Sequence, residues 1–189
     1  EGPLPVAGRY ILNVGNYVAG KAQDVLVDAF ARIAPSSSDL SLIFIGGTQD
    51  GAWLASLRQK VAQLGLSERV FFLENQPQQR VARLMRFATA LAHSSHAESF
   101  GLVLIEAGVC GTPVIATRVG GVPEIIPSEE FGVLVEAGNV AALTDALNDL
   151  LRHPAEAAAR ARRLQARVLS TFSVAAMTQR YLSILLPQP

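Results

Sequence analysis

The sequence has 189 residues, half of them apolar, and its 16 basic residues balance 16 acidic ones. This length supports one domain with a hydrophobic core, and the composition excludes a disordered chain. The zero net charge argues against a nucleic-acid binder, and the single cysteine, Cys110, excludes an internal disulfide and fits a cytoplasmic protein.

The amino terminus, EGPLPVAGRY, has no basic region followed by a long apolar core, so we predict no signal peptide. No apolar run approaches the roughly 18 to 20 residues of a membrane-spanning helix. We expect residues 1–8 to form a linker into the first strand, as in a piece cut from a longer protein.

Two kinds of segment then alternate along the chain. Short continuous apolar runs predict strands that are buried on both faces, and amphipathic runs between them predict helices. The predicted strands are Tyr10–Val14, Leu40–Ile45, Val70–Leu73, Ala88–His93, Pro113–Ala116 and Gly132–Val135. The predicted helices are Ala22–Ile33, Ala52–Leu64, Gln78–Phe87, Leu102–Val109, Val140–Leu151, Ala155–Leu169 and Val174–Leu185, the last within a terminal segment of about 172–189.

The alternation of strands and helices predicts right-handed crossovers and a parallel sheet. We therefore predict one Rossmann-like, doubly wound α/β domain over residues 1–189, with about six parallel strands and helices on both faces. Sheets of this kind bind ligands beyond the carboxyl ends of their strands, so the loops directly after the strands are the candidate site.

Glycines mark the loops after the first two strands. The first loop runs from Gly15 to Lys21, and the second begins at Gly46; both suit a tight turn or a close approach to a ligand. We expect Lys21 to open the next helix, where the helix dipole disfavours a cation, so that it projects away or meets an anion. Neither loop has a Walker or GxGxxG pattern.

The loop after the fourth strand carries the strongest signal, in which seven residues separate Glu98 from Glu106. At about 100° per residue, Leu102, Ile105 and Val109 form one apolar stripe. Glu106 falls at the edge of that stripe, about 40° from Leu102. A partly desolvated carboxylate needs hydrogen-bond donors, and vicinal sugar hydroxyls supply two.

Glu98 directly precedes the predicted helix, whose amino end would be a phosphate site. The free N–H groups there belong to Ser99, Phe100, Gly101 and Leu102. Eight residues of helix rise about 12 Å, an upper limit here that is similar to the span of a nucleotide sugar. The alternative is that Glu98 caps the helix and Glu106 pairs with a neighbouring Lys or Arg.

From Glu98 to Glu124 the sequence resembles the carboxyl-terminal half of a retaining glycosyltransferase of the GT-B fold, of the group 1 (family 4) type. The matching motifs are the two glutamates and the run EAGVCGTPVIATRVGGVPE. Gly15 to Phe30 resembles the family's phosphate loop and first helix, IFIGG and VFFLENQ resemble its later loops, and FSVAAMTQRYLSIL resembles its terminal helix. The resemblance covers nearly the whole chain.

The resemblance implies binding of a UDP-, GDP- or ADP-sugar without a metal or another cofactor. It implies that Glu98 lies near the transferred sugar, that Glu106 binds the ribose and that Lys21 contacts the diphosphate. Glu98 and Lys21 are the implied catalytic residues, through orientation of the sugar and stabilisation of the departing diphosphate. The implied nucleotide-sugar-binding residues are Gly15, Asn16, Lys21, Gly46, Gln76, Glu98, Ser99, Phe100, Gly101, Leu102 and Glu106.

One residue departs from the family pattern. Asn16 stands where the family usually has arginine, so a charge-assisted phosphate contact is lost. We expect either weaker donor binding or compensation by another cation such as Arg118. Asn16 also favours an alternative, namely a non-catalytic binding or assembly module with the same fold.

The resemblance further implies that the acceptor-binding amino-terminal domain is absent from these residues. The intact parent would be a hexosyltransferase that is free in the cytoplasm or is held at a membrane through that missing domain. The isolated domain would bind donor but transfer it poorly. A sugar-nucleotide epimerase fragment of the same fold is the other alternative.

Other polar residues give weaker signals. His93 and His96 flank the strand end before Glu98 and would either touch a donor sugar or serve a structural role. Cys110 is expected to be an inert core thiol. There is no Cys/His cluster with zinc spacing, so no metal site is predicted.

Overall fold

Every strand predicted from an apolar run is present in the computed structural model, which describes residues 6–186. The strands are β1 (Arg9–Val14), β2 (Leu40–Gly46), β3 (Val70–Glu74), β4 (Ala90–His93), β5 (Val114–Thr117) and β6 (Val133–Val135). They form one sheet in the order β3-β2-β1-β4-β5-β6, and all neighbouring strands are parallel. The predicted doubly wound α/β fold is confirmed.

The predicted helices are also present, with boundaries that differ by at most two residues. The helices are α1 (Gln23–Ile33), α2 (Gly51–Gln63), α3 (Gln78–Phe87), α4 (Leu102–Cys110), α5 (Val122–Ile125), α6 (Val140–Arg152), α7 (Pro154–Thr171) and α8 (Val174–Leu185). Two 3-10 turns accompany α1, at Ala19–Lys21 and Ala34–Ser36.

Two local differences from the predicted elements have clear causes. β4 begins at Ala90 and not at Ala88, because the Ala88 N–H still donates to Met85 O at the end of α3 (3.1 Å). Helix α5 was not predicted, since four residues are too few to show a helical period. Residues 1–5 of the predicted linker and 187–189 of the predicted terminal segment lie outside the described residues.

Alternate side chains of β2 contribute to the two halves of the core. Leu42 and Phe44 pack with α1, α2 and α6 on one face of the sheet, whereas Ile43 and Ile45 pack with α3, α4 and most of α7 on the other. All four are at most 2% exposed. Burial from both sides explains why this strand is a continuous apolar run.

The order of the strands reverses at β1. The chain first moves outward from β1 through β2 to β3 and then returns to place β4 on the other side of β1. The loops after β1 and β4 therefore leave neighbouring strand ends in different directions. They bound a crevice at the carboxyl edge, which is where doubly wound sheets bind ligands.

The apolar stripe of Leu102, Ile105 and Val109 is not the buried side of α4. Leu102 and Val109 are 66% and 48% exposed, and the buried side is formed by Leu104, Ala107 and Gly108. Every residue of α4 except the glutamate is apolar or glycine, so the sequence had no polar face to orient the helix. The small residues face the sheet and α7 because they allow the closest approach there.

Gly108 of α4 packs directly against α7. A Cβ at Gly108 would lie 2.9 Å from Val168 Cγ2 and 3.2 Å from Leu164 Cγ. We expect Gly108→Val to lower the free energy of unfolding by roughly 1 to 3 kcal/mol, because the overpacked helices must shift. Urea unfolding measures this change.

The matched control is Gly51→Val, which introduces the same side chain at a helical glycine. A Cβ at Gly51 meets no atom within 4 Å, so we expect the free energy of unfolding to change by less than about 0.5 kcal/mol. Equal destabilisation by the two substitutions would contradict the packing explanation.

Candidate functional site

The loops after β1 and β4 meet across the crevice. Ser94 Oγ donates to Lys21 O at 3.2 Å, and the His96 N–H donates to Gly20 O at 2.9 Å. These bonds join main-chain atoms of one loop to the other loop. Hydrogen bonds between the two loops therefore fix the sides of the crevice relative to each other.

The loop after β1 also lies directly on the loop after β2. Gly46 permits this approach, since a Cβ there would lie 2.0 Å from Gly15 O. The Gly15 N–H donates to Ile45 O at 2.8 Å, and Asn16 Oδ1 accepts from the Gly47 N–H at 3.1 Å. Gly15 and Gly46, both predicted to bind the ligand, are therefore in contact at the base of the crevice. The Asn16 side chain joins the loops after β1 and β2.

Lys21 does not open α1, contrary to the prediction. It ends the 3-10 turn, Ala22 follows in the left-handed conformation (φ 48°), and α1 begins at Gln23. The Lys21 side chain crosses the crevice, and its Nζ lies 2.7 Å from Glu98 Oε2. A cation that would be unfavourable at a helix start is therefore paired with a carboxylate of the opposite loop.

Glu98 is oriented by groups on both sides of the crevice. Its Oε2 accepts from Lys21 and lies 3.3 Å from His93 Nε2, and its Oε1 accepts from the Ser99 N–H at 3.2 Å. Burial by itself would raise the pKa of Glu98, but the hydrogen bond from Lys21 and the nearby charges outweigh burial and hold that pKa below its usual value. Glu98 is thus an anion at neutral pH.

His93 ends β4 directly beneath this ion pair and is 3% exposed. Burial lowers the pKa of His93 to about 4; the Lys21 charge acts in the same direction, and the Glu98 carboxylate opposes it. The ring is therefore neutral at pH 7. Its Nε2 is close to Glu98 but poorly aligned for a hydrogen bond, and no described residue offers it another partner.

The amino end of α4 is open beside Glu98. Gly101 precedes the helix with φ 98°, a conformation that favours glycine. Among residues 6–186, no group accepts a hydrogen bond from the N–H of Phe100, Gly101 or Leu102. Ser99 and Leu102 are exposed, Phe100 is half-buried and Gly101 is buried. An anion at this end would meet unpaired N–H groups and the positive end of the helix dipole.

Gly120 and Gly121, which follow β5, pack against the main chain of the loop that carries Glu98. A Cβ at Gly120, which has φ 48°, would lie 1.5 Å from Glu98 O. The Gly121 N–H donates to Ser99 O at 3.2 Å. This pair was noted only within a family motif, although two adjacent glycines close to a strand end favour close backbone approach.

Glu106 lies on the second turn of α4, at the edge of a groove between α4 and α3. The groove has a volume of about 160 Å³ and is lined by Gln78, Val81, Ala82, Met85, Glu106, Val109 and Cys110. Burial raises the pKa of Glu106, although its side chain reaches solvent. No described residue pairs with this carboxylate, so the alternative of a Glu106 ion pair with Lys or Arg finds no support there.

Gln76 lies in the loop between β3 and α3. Its Nε2 donates to Glu74 O at 2.8 Å, which turns the side chain back onto its own loop. Gln78 begins α3 and lines the same groove as Glu106. The loop predicted to contact the base and the carboxylate predicted to bind ribose therefore flank one groove.

The predicted site residues thus form two neighbouring groups. The crevice brings together Gly15, Asn16, Lys21, Gly46, Glu98, Ser99, Phe100, Gly101 and Leu102, whereas Glu106 and the Gln76 loop border the groove beside α4. Ser94, whose bond to Lys21 O holds the crevice together, was missed, because a serine in a loop has no distinguishing spacing. Cys110, predicted in the core, is only half-buried.

Within residues 6–186, no three His, Cys, Asp or Glu side chains converge as metal ligands. None of the helices in this same range combines the length and the apolar character needed to cross a membrane.

Comparison of the sequence with protein families and curated proteins gives consistent matches. The family model described as glycosyl transferases group 1 matches residues 2–167. D-inositol 3-phosphate glycosyltransferase of Mycolicibacterium paratuberculosis is 39% identical over 173 residues, which are 90% of this chain and 38% of that protein. The chain therefore spans less than half the length of this relative.

Solved structures share the fold. Anabaena HepE in complex with UDP-glucose aligns with a TM-score of 0.86 and 28% identity, over 95% of this chain and 49% of that one. The C-terminal domain of a glycosyl transferase group 1 family protein (LpcC) from Francisella tularensis aligns with a TM-score of 0.82 and 26% identity, over 89% of each chain. The described fold thus matches half of one protein and nearly all of a separate carboxyl-terminal domain.

The buried His93 makes the stability of the fold depend on pH. A histidine in an unfolded chain has a pKa of about 6.5, whereas folding lowers the pKa of His93 to about 4. The stability that depends on the neutral ring is therefore complete above about pH 6.5. It declines by on the order of 1 kcal/mol per pH unit as the pH falls towards about 4. The lowered pKa of Glu98 adds a loss only below about pH 4.5.

Urea unfolding across this pH range tests the prediction. We expect His93→Gln to reduce the slope of the free energy of unfolding between about pH 6.5 and 4.5. His96→Gln, which replaces an exposed histidine in the loop that follows β4, keeps His93 and is expected to keep the slope. An unchanged slope in His93→Gln would show that His93 is not the buried neutral group inferred here.

Proposed function

The chain belongs to the glycosyl transferases group 1 family, and from this premise we propose that it is the donor-binding half of a retaining glycosyltransferase. Its parent would move a sugar from a nucleotide diphosphate to an acceptor. The observation that carries the proposal is the open amino end of α4 beside Lys21. A helix amino end next to a lysine suits a diphosphate, because both supply positive charge and hydrogen-bond donors.

In the proposed complex, the diphosphate lies at the start of α4. The N–H groups of Phe100, Gly101 and Leu102 face it, and Lys21 supplies the cation. Lys21 is 28% exposed and flexible, so it can exchange Glu98 for a phosphate oxygen. Glu98 then remains beside the donor sugar, where its carboxylate accepts hydrogen bonds from sugar hydroxyls.

The nucleoside extends from the diphosphate along α4. The Glu106 carboxylate, which has no partner among the described residues, accepts hydrogen bonds from the two ribose hydroxyls. Main-chain groups near Gln76 contact the base, because the Gln76 amide already bonds its own loop. HepE, a structural relative, has been solved in complex with UDP-glucose, which favours a UDP-sugar as the first donor to test.

The proposed role of these groups in catalysis is electrostatic. Negative charge develops on the diphosphate as the bond to the sugar breaks, and preorganised donors stabilise it most where water is excluded. Lys21 and the α4 N–H groups are such donors. The Glu98 anion orients the sugar and stabilises positive charge on its ring; no covalent role is assigned to it. No step in this proposal uses a metal.

Asn16 takes a structural role in this proposal. Its Oδ1 already accepts a hydrogen bond from the Gly47 N–H. Asn16 therefore joins two loops, whereas the arginine usual at this position would contact a phosphate. Arg118, considered above as a substitute cation, lies just after β5 with its Nε 3.9 Å from Glu136 Oε1. That long ion pair leaves the Arg118 charge able to turn towards a ligand.

Acceptor binding is assigned to a further domain of the parent protein. The curated relative is more than twice as long as the matched region, and α8 has no buried residue. Its Val174, Ile184 and Leu185 side chains are 76%, 78% and 71% exposed, which suits contact with another domain. A cytoplasmic location is part of the proposal and rests on the cysteine content.

Titration of the chain with UDP-, GDP- and ADP-sugars by calorimetry tests the proposed function. Binding of at least one of them is expected. A folded chain that binds none of these compounds would favour the non-catalytic module with the same fold. Binding without transfer by the parent protein, but with interconversion of the donor sugar, would favour the epimerase alternative.

Glu106→Ala is expected to weaken binding of the preferred nucleoside diphosphate by about tenfold or more, since it removes an ionised acceptor of two hydroxyl donors. Calorimetry measures the affinity, and urea unfolding measures the stability, which should change little at this solvent-accessible position. Glu129→Ala, at another exposed glutamate, is the control for loss of one negative charge. Equal loss of affinity and of stability in Glu106→Ala would indicate a structural role.

Lys21→Met is expected to lower the affinity for UDP by about tenfold or more and to leave uridine binding nearly unchanged, because only UDP carries the diphosphate. Lys60→Met is a matched control, since Lys60 also makes a 2.7 Å ion pair, with Asp28, on another surface. If both variants lost UDP affinity equally, net charge and not a diphosphate contact would explain the effect.

A further inference from the structure

Two nitrogen atoms approach the same oxygen of Glu98. Lys21 Nζ lies 2.7 Å from Oε2, and His93 Nε2 lies 3.3 Å from that oxygen. Only the lysine makes a well-formed hydrogen bond, because His93 Nε2 is not aligned with the carboxylate. The present arrangement therefore leaves His93 with a buried nitrogen that lacks a good partner.

The two donors differ in how firmly the fold holds them. His93 is 3% exposed, and the register of β4 on β5 pairs it with Ala116. Lys21 is 28% exposed and reaches the carboxylate on a long side chain. A ligand that attracts Lys21 would therefore remove the mobile donor and leave the fixed one in place.

A buried polar group without a hydrogen bond is costly, and a hydrogen bond to a charged group is stronger than one between neutral groups. Departure of Lys21 would free Oε2 for the neutral imidazole, with its proton on Nε2. The charged groups that face His93 are Lys21 and Glu98. Because the His93 imidazole is neutral, it can donate to Glu98 without competing with Lys21 for the negatively charged diphosphate.

We propose that His93 is a positioning residue that takes over Glu98 Oε2 when Lys21 moves to the diphosphate, and so keeps the carboxylate aimed at the donor sugar. The inference rests on the proposed function, since it concerns the complex with a nucleotide sugar. It predicts that His93 acts on the sugar end of the donor. Binding of the nucleoside diphosphate alone does not depend on His93.

The test compares the affinities of UDP-glucose and UDP for the wild-type chain, His93→Phe and His93→Gln by calorimetry. Phenylalanine keeps a flat ring without a donor, whereas glutamine restores a neutral N–H donor. We expect His93→Phe to weaken UDP-glucose binding by about tenfold and to change UDP binding less than about twofold. His93→Gln is expected to recover most of the lost affinity for UDP-glucose.

Thermal unfolding of each variant confirms that the fold is intact, and His93→Leu replaces His93→Phe if the larger ring is not tolerated. Equal weakening of UDP and UDP-glucose, or no recovery in His93→Gln, would overturn the positioning role. Unchanged binding of both compounds in His93→Phe would also overturn it and would leave the proposed function standing. Absence of binding to the wild-type chain would instead count against the proposed function.

Discussion

The ion pair between Lys21 and Glu98 is the interaction on which the candidate site depends. It joins residues 77 positions apart, at 2.7 Å, across the reversal of strand order. The Lys21 and Glu98 side chains are 28% and 16% exposed, and in such a part-buried pair the loss of hydration offsets much of the attraction between the charges. Its importance therefore lies in placement. In the proposed complex, a diphosphate replaces Glu98 as the partner of Lys21, and sugar hydroxyls replace Lys21 as the partner of Glu98.

The fold supports this pair by bringing main chains unusually close together. Gly46 lets the loop after β2 touch the loop after β1, and Gly120 lets the loop after β5 touch the main chain of Glu98. Gly101 turns the chain into α4 with a positive φ. A side chain at Gly46 or Gly120 would meet backbone atoms at 2.0 Å or less. The crevice can therefore adopt this shape only with glycine at these two positions.

Much of the fold followed from the sequence, because parallel strands buried on both faces leave continuous apolar runs. All six strands and seven longer helices were predicted within two residues. The buried side of α4 was not, since a helix that is apolar all round has no polar face to orient it. The end of the helical turn at Lys21 was also missed, because Ala22 adopts a left-handed conformation that alanine seldom takes.

The sequence by itself determined the kind of sheet, the loops that border its carboxyl edge and the residue types available there. It placed Glu98 before the amino end of one helix and Glu106 within that helix, and it identified Lys21 as a cation near a strand end. Only the tertiary structure decided that Lys21 reaches Glu98, that His93 lies beneath both and that Glu106 faces α3. These contacts depend on the spatial order of the strands and on the rotation of α4 about its axis, and local periodicity encodes neither.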